Sequence, residues 1–281
     1  IQAPMLPWRS PDLKIAVATT GGDAPGMNAA IRAVVRIATS RDLEILGFNR
    51  GFEGLMNNDF RLLTPRSVGG ILQLGGTILH TVRCPEFMSR KGIRKAAKTL
   101  SVNNIDGLIV IGGNGSFNGA LDLSKETDTF VIGVPASIDN DVYGTDETIG
   151  FDTAVNTAVS EIDKIRDTAV SHERTFIVEV MGRNRGFLAL TAGITAGAEI
   201  IIVPEVKLKK ENLLSTLREN SRKGKKSSII VKAEGAGDAN ALANEIAGHT
   251  GSEVRISVLG YAQRGGSPTA RSRLLASLFG E

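Results

Sequence analysis

Lys14-Ile15-Ala16-Val17-Ala18-Thr19-Thr20-Gly21-Gly22-Asp23-Ala24-Pro25-Gly26-Met27-Asn28-Ala29-Ala30-Ile31-Arg32 sets the reading of the whole chain. Ile15–Ala18 is short and continuously apolar, the pattern of a strand buried on both faces. It gives way to Thr19–Gly26, where three glycines let the backbone come close to a ligand. A helical period then runs over Met27–Thr39. The same alternation continues outward. Apolar runs at Glu44–Phe48, Gly107–Ile111, Phe130–Val134, Thr175–Val180, Glu199–Val203, Ser228–Ala233 and Arg255–Leu259 read as strands. Helical stretches lie at Ser89–Leu100, Ser116–Ser124, Asp152–Thr168, Arg185–Ala196, Lys209–Arg222 and Asp238–Gly248. Such alternation predicts right-handed βαβ crossovers and mainly parallel sheets. Eight strands exceed what one small domain needs, so two sheets are expected. The break is expected near Gly144–Gly150, with a return to the first domain at Gln263–Pro268.

Length agrees: 281 residues, at a prior of about 150 per domain, suggest two domains. Hydrophobic residues at 42% and charged residues at 22% exclude intrinsic disorder and collagen-like repeats. Lys and Arg outnumber Asp and Glu, 33 − 30 = +3, and the basic residues are scattered. That distribution points away from nucleic acid and toward pockets for small anions. The single cysteine, Cys84, allows neither an internal disulfide nor a cysteine metal cluster, so a reducing cytoplasm is expected. No apolar run approaches the ~18 residues of a membrane span. Residues 1–12 read as a tail before the first strand, without a signal-peptide layout.

The chemistry gathers at the turns. A helix N-terminus behind a glycine turn offers backbone N–H groups and a partial positive charge, which suits phosphate. Thr19–Gly26 is one such turn, matching neither a Walker loop nor a G-x-G-x-x-G fingerprint. Ile111-Gly112-Gly113-Asn114-Gly115-Ser116 is a second, and two together suggest one polyphosphate held from both sides. Tight turns with ordinary caps would look similar. Pro135-Ala136-Ser137-Ile138-Asp139-Asn140-Asp141 places two carboxylates beside these turns. Their mutual repulsion is relieved by a divalent cation and a proton-accepting role, although an Asx-rich turn also accounts for the residue types. Arg83 follows Gly75-Gly76-Thr77 in a loop expected to be flexible, while Arg183 and Arg264 flank glycines after strands. Arginine there suits bidentate phosphate contacts. His80, His172 and His249 lack metal-ligand spacing, and no histidine stands near Ser116 or Ser137 to activate a hydrolase serine.

Taken together, these stretches resemble the 6-phosphofructokinase family. The resemblance rests on Gly21 to Arg32, Gly112 to Ser116, Ser137 to Asp141, Gly144-Thr145-Asp146 through Ile149-Gly150-Phe151, Glu179 to Arg183, and Leu259 to Gly266. It runs in order from about Lys14 to the last residue. It implies two Rossmann-like three-layer α/β/α domains with mainly parallel sheets and the active site in the cleft between them. Residues 13–149 plus 263–281 would form the ATP-binding domain and 150–262 the sugar-phosphate-binding domain. The implied reaction is transfer of the γ-phosphoryl group of ATP to the 1-hydroxyl of fructose 6-phosphate. The resemblance makes Asp139 the general base, kept ionised by neighbouring arginines and metal, with Arg83 and Arg183 neutralising the transferring group. Gly22, Arg83, Cys84, Gly113, Asn114, Gly115 and Ser116 would hold ATP. Ser137, Ile138, Asp139, Met181, Gly182, Arg183 and Glu234 would position the sugar. Arg174, Arg255, Tyr261 and Arg264 would meet its 6-phosphate, Arg174 and Arg255 reaching in from a neighbouring subunit of a homotetramer. Asp141 and Asn114 would bind Mg²⁺.

The resemblance further implies an effector site from Arg32, Arg36, Arg166, Glu199, Lys223 and Lys225, although a solvated helix face and basic loop would show the same residues. Gly115 and Ala136 stand where pyrophosphate-using relatives carry Asp and Lys, so ATP is the expected donor over pyrophosphate. Asn114 replaces a usual Asp and is a weaker Mg²⁺ ligand. Tyr261 replaces a usual His and can still donate one hydrogen bond. The chain stops at Glu281, before a C-terminal segment that family members carry. A catalytically silent, ligand-binding regulatory subunit is the rival reading, opposed by the retention of Asp139, Asp141, Arg83 and Arg183.

Overall fold

The computed structural model describes residues 13–281; the expected tail, residues 1–12, lies outside them. Contacts divide the chain into two units, one running up to Ser137 and resuming over Ala270–Glu281, the other spanning Ile138–Thr269. The expected boundaries, 149/150 and 262/263, fall later at the first crossing and earlier at the second. Glycine-rich turns suggested them. The observed first crossing instead comes directly at the end of a strand, and the return comes just before a helix.

The first unit contains β1 (Lys14–Thr19), α1 (Met27–Ser40), β2 (Glu44–Phe48), α2 (Phe52–Asn57), β3 (Phe60–Leu62), α3 (Arg90–Val102), β4 (Gly107–Gly112), α4 (Asn114–Ser124) and β5 (Phe130–Ser137). Its strands lie in the order β3-β2-β1-β4-β5. All these pairs are parallel except β2–β3, an antiparallel edge that the sequence did not suggest. On one face Ala16, Ala18, Leu46, Phe48, Leu108 and Val110 pack against Phe52 and Leu55 of α2, Leu100 of α3 and Leu123 of α4. The Phe52 and Phe87 rings stack there at 3.9 Å. Burying each such side chain contributes about 1.5–3 kcal/mol. The alternate strand residues, Val17 and Ile45, are equally buried, because α1 covers the opposite face. The final helix of the chain, which also belongs to this unit (Ala270–Gly280), packs on α1. A Cβ on Gly280 would stand 2.5 Å from that of Ala33, so the helices approach closely only because residue 280 has none.

The second unit contains β6 (Ile149–Gly150), α5 (Phe151–Ser171), β7 (Thr175–Val180), α6 (Phe187–Thr195), β8 (Ile200–Ile202), α7 (Lys210–Arg222), β9 (Ser228–Ala233), α8 (Ala239–Thr250) and β10 (Val254–Val258), so the final helix is α9. A parallel four-stranded sheet runs β10-β7-β9-β8. Ile177, Ile202 and Ile230 meet Leu213 and Leu217 of α7 and Leu242 and Ile246 of α8 on one face. On the other, α6 lies so close that a Cβ on Gly193 would meet Ile201 at 2.7 Å. Each unit is therefore three layers, helix on sheet on helix, as the alternation of runs predicts.

Four elements escaped the sequence reading. The helix α2 has only six residues, β3 only three and β6 only two, too short for a period to register. The remaining one, α9, lies in the stretch expected to return to the first domain, where the sequence reading places no helix.

Candidate active site

In the first unit the two glycine turns meet at the carboxyl ends of β1 and β4. The Thr20 amide donates to the Ile111 carbonyl at 3.0 Å, tying the first turn to the strand that feeds the second. Gly113 caps α4, so Asn114, Gly115 and Ser116 form its first turn, two residues earlier than the expected start at Ser116. The Ser116 hydroxyl lies between the turns. A Cβ on Gly112 would meet it at 2.4 Å, and one on Gly21, whose φ is +79°, at 2.9 Å. Ser116 Oγ and Thr20 Oγ1 are buried, and neither has a hydrogen-bond partner among the described residues. A buried hydroxyl without a partner carries a desolvation cost of about 1–3 kcal/mol, which a bound ligand oxygen would offset. Around Gly115, by contrast, a Cβ would meet nothing within 4 Å. Gly21 and Gly22 are exposed, as a ligand-facing turn requires.

The segment leading to Arg83, expected to be flexible, is instead laced to this turn. Asn28 Nδ2 donates to the Leu74 and Gly75 carbonyls at 3.2 and 3.0 Å, and its Oδ1 accepts from the Ile78 amide at 2.7 Å. Thr19 Oγ1 bonds the Thr77 hydroxyl and the His80 carbonyl, and Thr81 Oγ1 donates to the Gly21 carbonyl at 2.9 Å. Arg83 therefore stands exposed two residues beyond a fixed point on the first glycine turn. Cys84 is half-buried against the core rather than fully presented to a ligand.

The second unit begins with Ile138, Asp139, Asn140 and Asp141. Asn140 adopts a left-handed conformation, φ +49°, that asparagine tolerates better than most residues. Its Oδ1 accepts from the Thr148 amide at 2.8 Å, and its Nδ2 donates to the Asp146 carbonyl at 3.3 Å. That side chain closes the loop and leaves the flanking carboxylates on a fixed turn. Burial pushes the Asp139 carboxyl above the ordinary carboxylate range. The Asp141 charge raises it further, Arg264 opposes the rise and Glu234 adds to it. Asp139, Asp141, Glu234 and Arg264 thus form one electrostatic group.

Next to it lies a cavity of about 200 Å³ lined by Glu179, Val180, Met181, Glu234, Gly260 and Tyr261. The turns after β7 and β9 are stitched across its mouth. The Glu234 amide donates to the Val180 carbonyl at 2.8 Å and the Gly235 amide to the Gly182 carbonyl at 3.0 Å. Gly235 is required here, since a Cβ would stand 1.8 Å from the Arg183 carbonyl oxygen. Met181, Gly182, Arg183 and Glu234 are thereby brought together, with Arg183 exposed. Fully buried Gln263 accepts from the Met181 amide at 3.3 Å and donates to the Gly260 carbonyl at 3.0 Å. The Arg264 guanidinium lies over the Tyr261 ring at 5.8 Å.

Arg174 and Arg255 come together on a different feature, the carboxylate of Glu253, which pairs with both. The hydrogen bond from Arg174 holds Glu253 below its ordinary pKa, and Arg255 adds to the effect. Of the expected effector residues, Arg166, Glu199 and Lys225 converge. Arg166 donates to the Ala196 and Gly197 carbonyls and lies 3.6 Å from Glu199, which also takes Lys225. Lys223 turns away to Glu219 at 2.6 Å, while Arg32 and Arg36 sit on α1 of the first unit. Asn28, Asn140 and Gln263, which organise the site, received no role from the sequence. Their partners lie at positions that no local spacing reveals.

A family model described as phosphofructokinase matches residues 14–281. The chain is 54% identical over 267 residues to an ATP-dependent 6-phosphofructokinase of Lysinibacillus sphaericus, covering 95% of this chain and 83% of that one. It is 54% identical over 269 residues to ATP-dependent 6-phosphofructokinase 1 of Thermus thermophilus, covering 95% and 84%. Its fold superposes on the solved structure of phosphofructokinase from Saccharomyces cerevisiae with a TM-score of 0.89 at 37% identity, covering 96% of this chain. It spans 41% of that longer yeast chain.

Proposed function

The chain belongs to the phosphofructokinase family, and we propose that it transfers the γ-phosphoryl group of ATP to the 1-hydroxyl of fructose 6-phosphate, giving fructose 1,6-bisphosphate and ADP. One observation carries the assignment of roles: Asp139, with its raised pKa, shares a charge group with Asp141, Glu234 and Arg264 at the rim of the Met181–Tyr261 cavity. A carboxylate whose pKa is lifted by burial is a stronger proton acceptor, which suits the removal of a hydroxyl proton as attack begins. Arg83 and Arg183, both exposed, neutralise charge on the equatorial oxygens of the moving group, the main electrostatic task in this chemistry. The turns at Gly22 and at Gly113–Ser116, with the flanking Arg83 and Cys84, seat the nucleotide phosphates, and the hydroxyls of Thr20 and Ser116 await oxygen partners. Ser137, Ile138, Met181, Gly182 and Glu234 orient the sugar, and Tyr261 and Arg264 take its 6-phosphate.

The donor preference rests on two positions. Residue 115 faces open space, and a carboxylate there would repel a phosphate seated over the α4 N-terminus. Ala136 is buried and carries no ammonium that could engage pyrophosphate. Asp141 and Asn114 are hard oxygen donors suited to Mg²⁺, which is held through one or two protein oxygens and substrate phosphates. Bound there, the ion would neutralise charge on the nucleotide. Among the described residues no three His, Cys, Asp or Glu side chains gather as a protein-only metal cage. We place the enzyme in the cytoplasm as a homotetramer, with Arg174 and Arg255 serving a neighbouring subunit. No helix among the described residues is long and apolar enough to cross a membrane.

Turnover of the purified protein with fructose 6-phosphate, Mg²⁺ and either ATP or pyrophosphate tests the reading. Fructose 1,6-bisphosphate is expected with ATP. Product formed only from pyrophosphate, or from neither donor, overturns it.

A further inference from the structure

Strand β9 reads Ser228-Ile229-Ile230-Val231-Lys232-Ala233, and all six residues are buried. Five of them suit an interior strand. Lys232 does not, yet its side chain is 1% exposed. Burying an ammonium costs several kcal/mol unless it is paired and its protons are satisfied. Here the three donors of Nζ meet three acceptors: Glu179 Oε2 at 2.8 Å, the Ala233 carbonyl at 3.1 Å and the Glu234 carbonyl at 3.4 Å. The register of the sheet explains the meeting, since Glu179 of β7 stands directly beside Lys232 of β9.

Two of the three acceptors belong to residues that line the acceptor cavity, and the third adjoins them. Glu179 and Glu234 line it, and Ala233 immediately precedes Glu234. The Glu234 backbone is in turn bonded to Val180, and Gly235 to Gly182, so movement of this shoulder passes directly to Met181, Gly182 and Arg183. Charge points the same way. Glu179 and Glu234 face a cavity that, on the reading above, takes an anionic sugar phosphate, and an unpaired Glu179 would repel it. We propose that Lys232 is a positioning residue for the acceptor sugar: without touching the ligand, its ammonium clamps the Glu179 carboxylate and the Ala233–Glu234 carbonyls into the shape and charge the cavity needs. The proposal rests on the assignment of that cavity to fructose 6-phosphate.

Three proteins test it: wild type, Lys232→Met, and Lys232→Met combined with Glu179→Gln. Each is measured for fructose 6-phosphate binding by calorimetry, KM for sugar and for ATP, kcat and thermal midpoint. Lys232→Met is expected to raise the sugar KM about tenfold, the scale of one lost hydrogen-bonded interaction, with kcat and the ATP KM within about threefold of wild type. The double variant removes the stranded buried carboxylate and should recover thermal stability. Its sugar KM stays raised, because the two carbonyls remain unclamped. Should Lys232→Met not fold, the double variant carries the same comparison. A sugar KM at the wild-type value in either folded variant overturns the proposal and makes Lys232 a structural counter-ion of Glu179. If wild type binds no fructose 6-phosphate, the assignment of the cavity fails first and the proposal falls with it.

Discussion

On the function proposed above, the first unit builds its ligand seat mostly from backbone, while the second builds its own from charged side chains on buried polar supports. Around Gly21, Gly22, Gly112 and Gly113 the groups a ligand would meet are amides and two hydroxyls, Thr20 and Ser116, with Arg83 at the margin. Around the Met181–Tyr261 cavity they are Asp139, Asp141, Glu234 and Arg264, held by Gln263, Asn140 and Lys232. The first seat should fail when its shape changes, and the second when its charge changes.

The largest effect expected of this contrast lies in the second unit. Asp139→Ser removes the proton acceptor but leaves the cavity wall, so kcat should fall about 10³-fold or more with little change in sugar affinity. Steady-state kinetics with a parallel binding measurement decide it, and near-normal turnover would remove Asp139 from the chemistry. Next comes a pure shape change in the first unit. In Gly112→Ala the new methyl stands 2.4 Å from Ser116 Oγ and 2.7 Å from the Thr20 carbonyl oxygen. Overpacking of that kind costs about 1–3 kcal/mol, and nucleotide binding should weaken as Thr20 and Ser116 are displaced. Thermal melts with and without ATP read both; a variant that melts and binds like wild type would show the turns to be yielding.

Three residues along, the same unit allows a charge change without a shape change. A side chain at residue 115 meets nothing within 4 Å, so Gly115→Asp should leave stability within about 0.5 kcal/mol. Its ATP KM should rise about tenfold through repulsion of the phosphates, and an unchanged ATP KM would move the nucleotide away from this helix start.

The smallest effect concerns Glu199, where support and ligand roles can be separated. Burial raises its carboxyl, but the bonds from Lys225 and the Ile229 amide, with the charges of Lys225 and Arg166, outweigh that and hold it below its ordinary pKa. A lowered carboxylate pKa stabilises the fold above the unfolded-state value, and that contribution is lost as pH falls through the folded value. Glu199→Gln should cost about 1–2 kcal/mol at neutral pH, and the gap should close on acidification. Urea unfolding across the acid range measures it; a gap independent of pH would assign the loss to packing alone.

Much of this molecule could be read from order along the chain. Runs such as Thr175–Val180 and Ser228–Ala233 announce strands covered on both faces, and the observed β7 and β9 occupy those spans. The glycine turns are equally plain, since amide-lined seats advertise themselves in residue type. What stayed hidden are polar side chains whose partners lie far along the chain. Asn28 bonds a loop at Leu74 to Ile78, and Gln263 bonds Met181. Glu253 gathers Arg174 and Arg255, and Lys232 reaches Glu179 only through sheet register. Each residue looks ordinary among its neighbours, and only the folded chain supplies the other half of its bond.

The return of α9 to α1 has a bearing on how the protein is made. Since α9 follows all of the second unit in sequence, this helical layer of the first unit emerges from the ribosome only after the whole second unit has been made. The nascent first half must wait with part of its apolar surface open, the kind of exposure that invites chaperone capture and mispairing. The loop closed by that one helix-to-helix contact encloses the whole second unit, which should make its docking a late and comparatively slow event of folding.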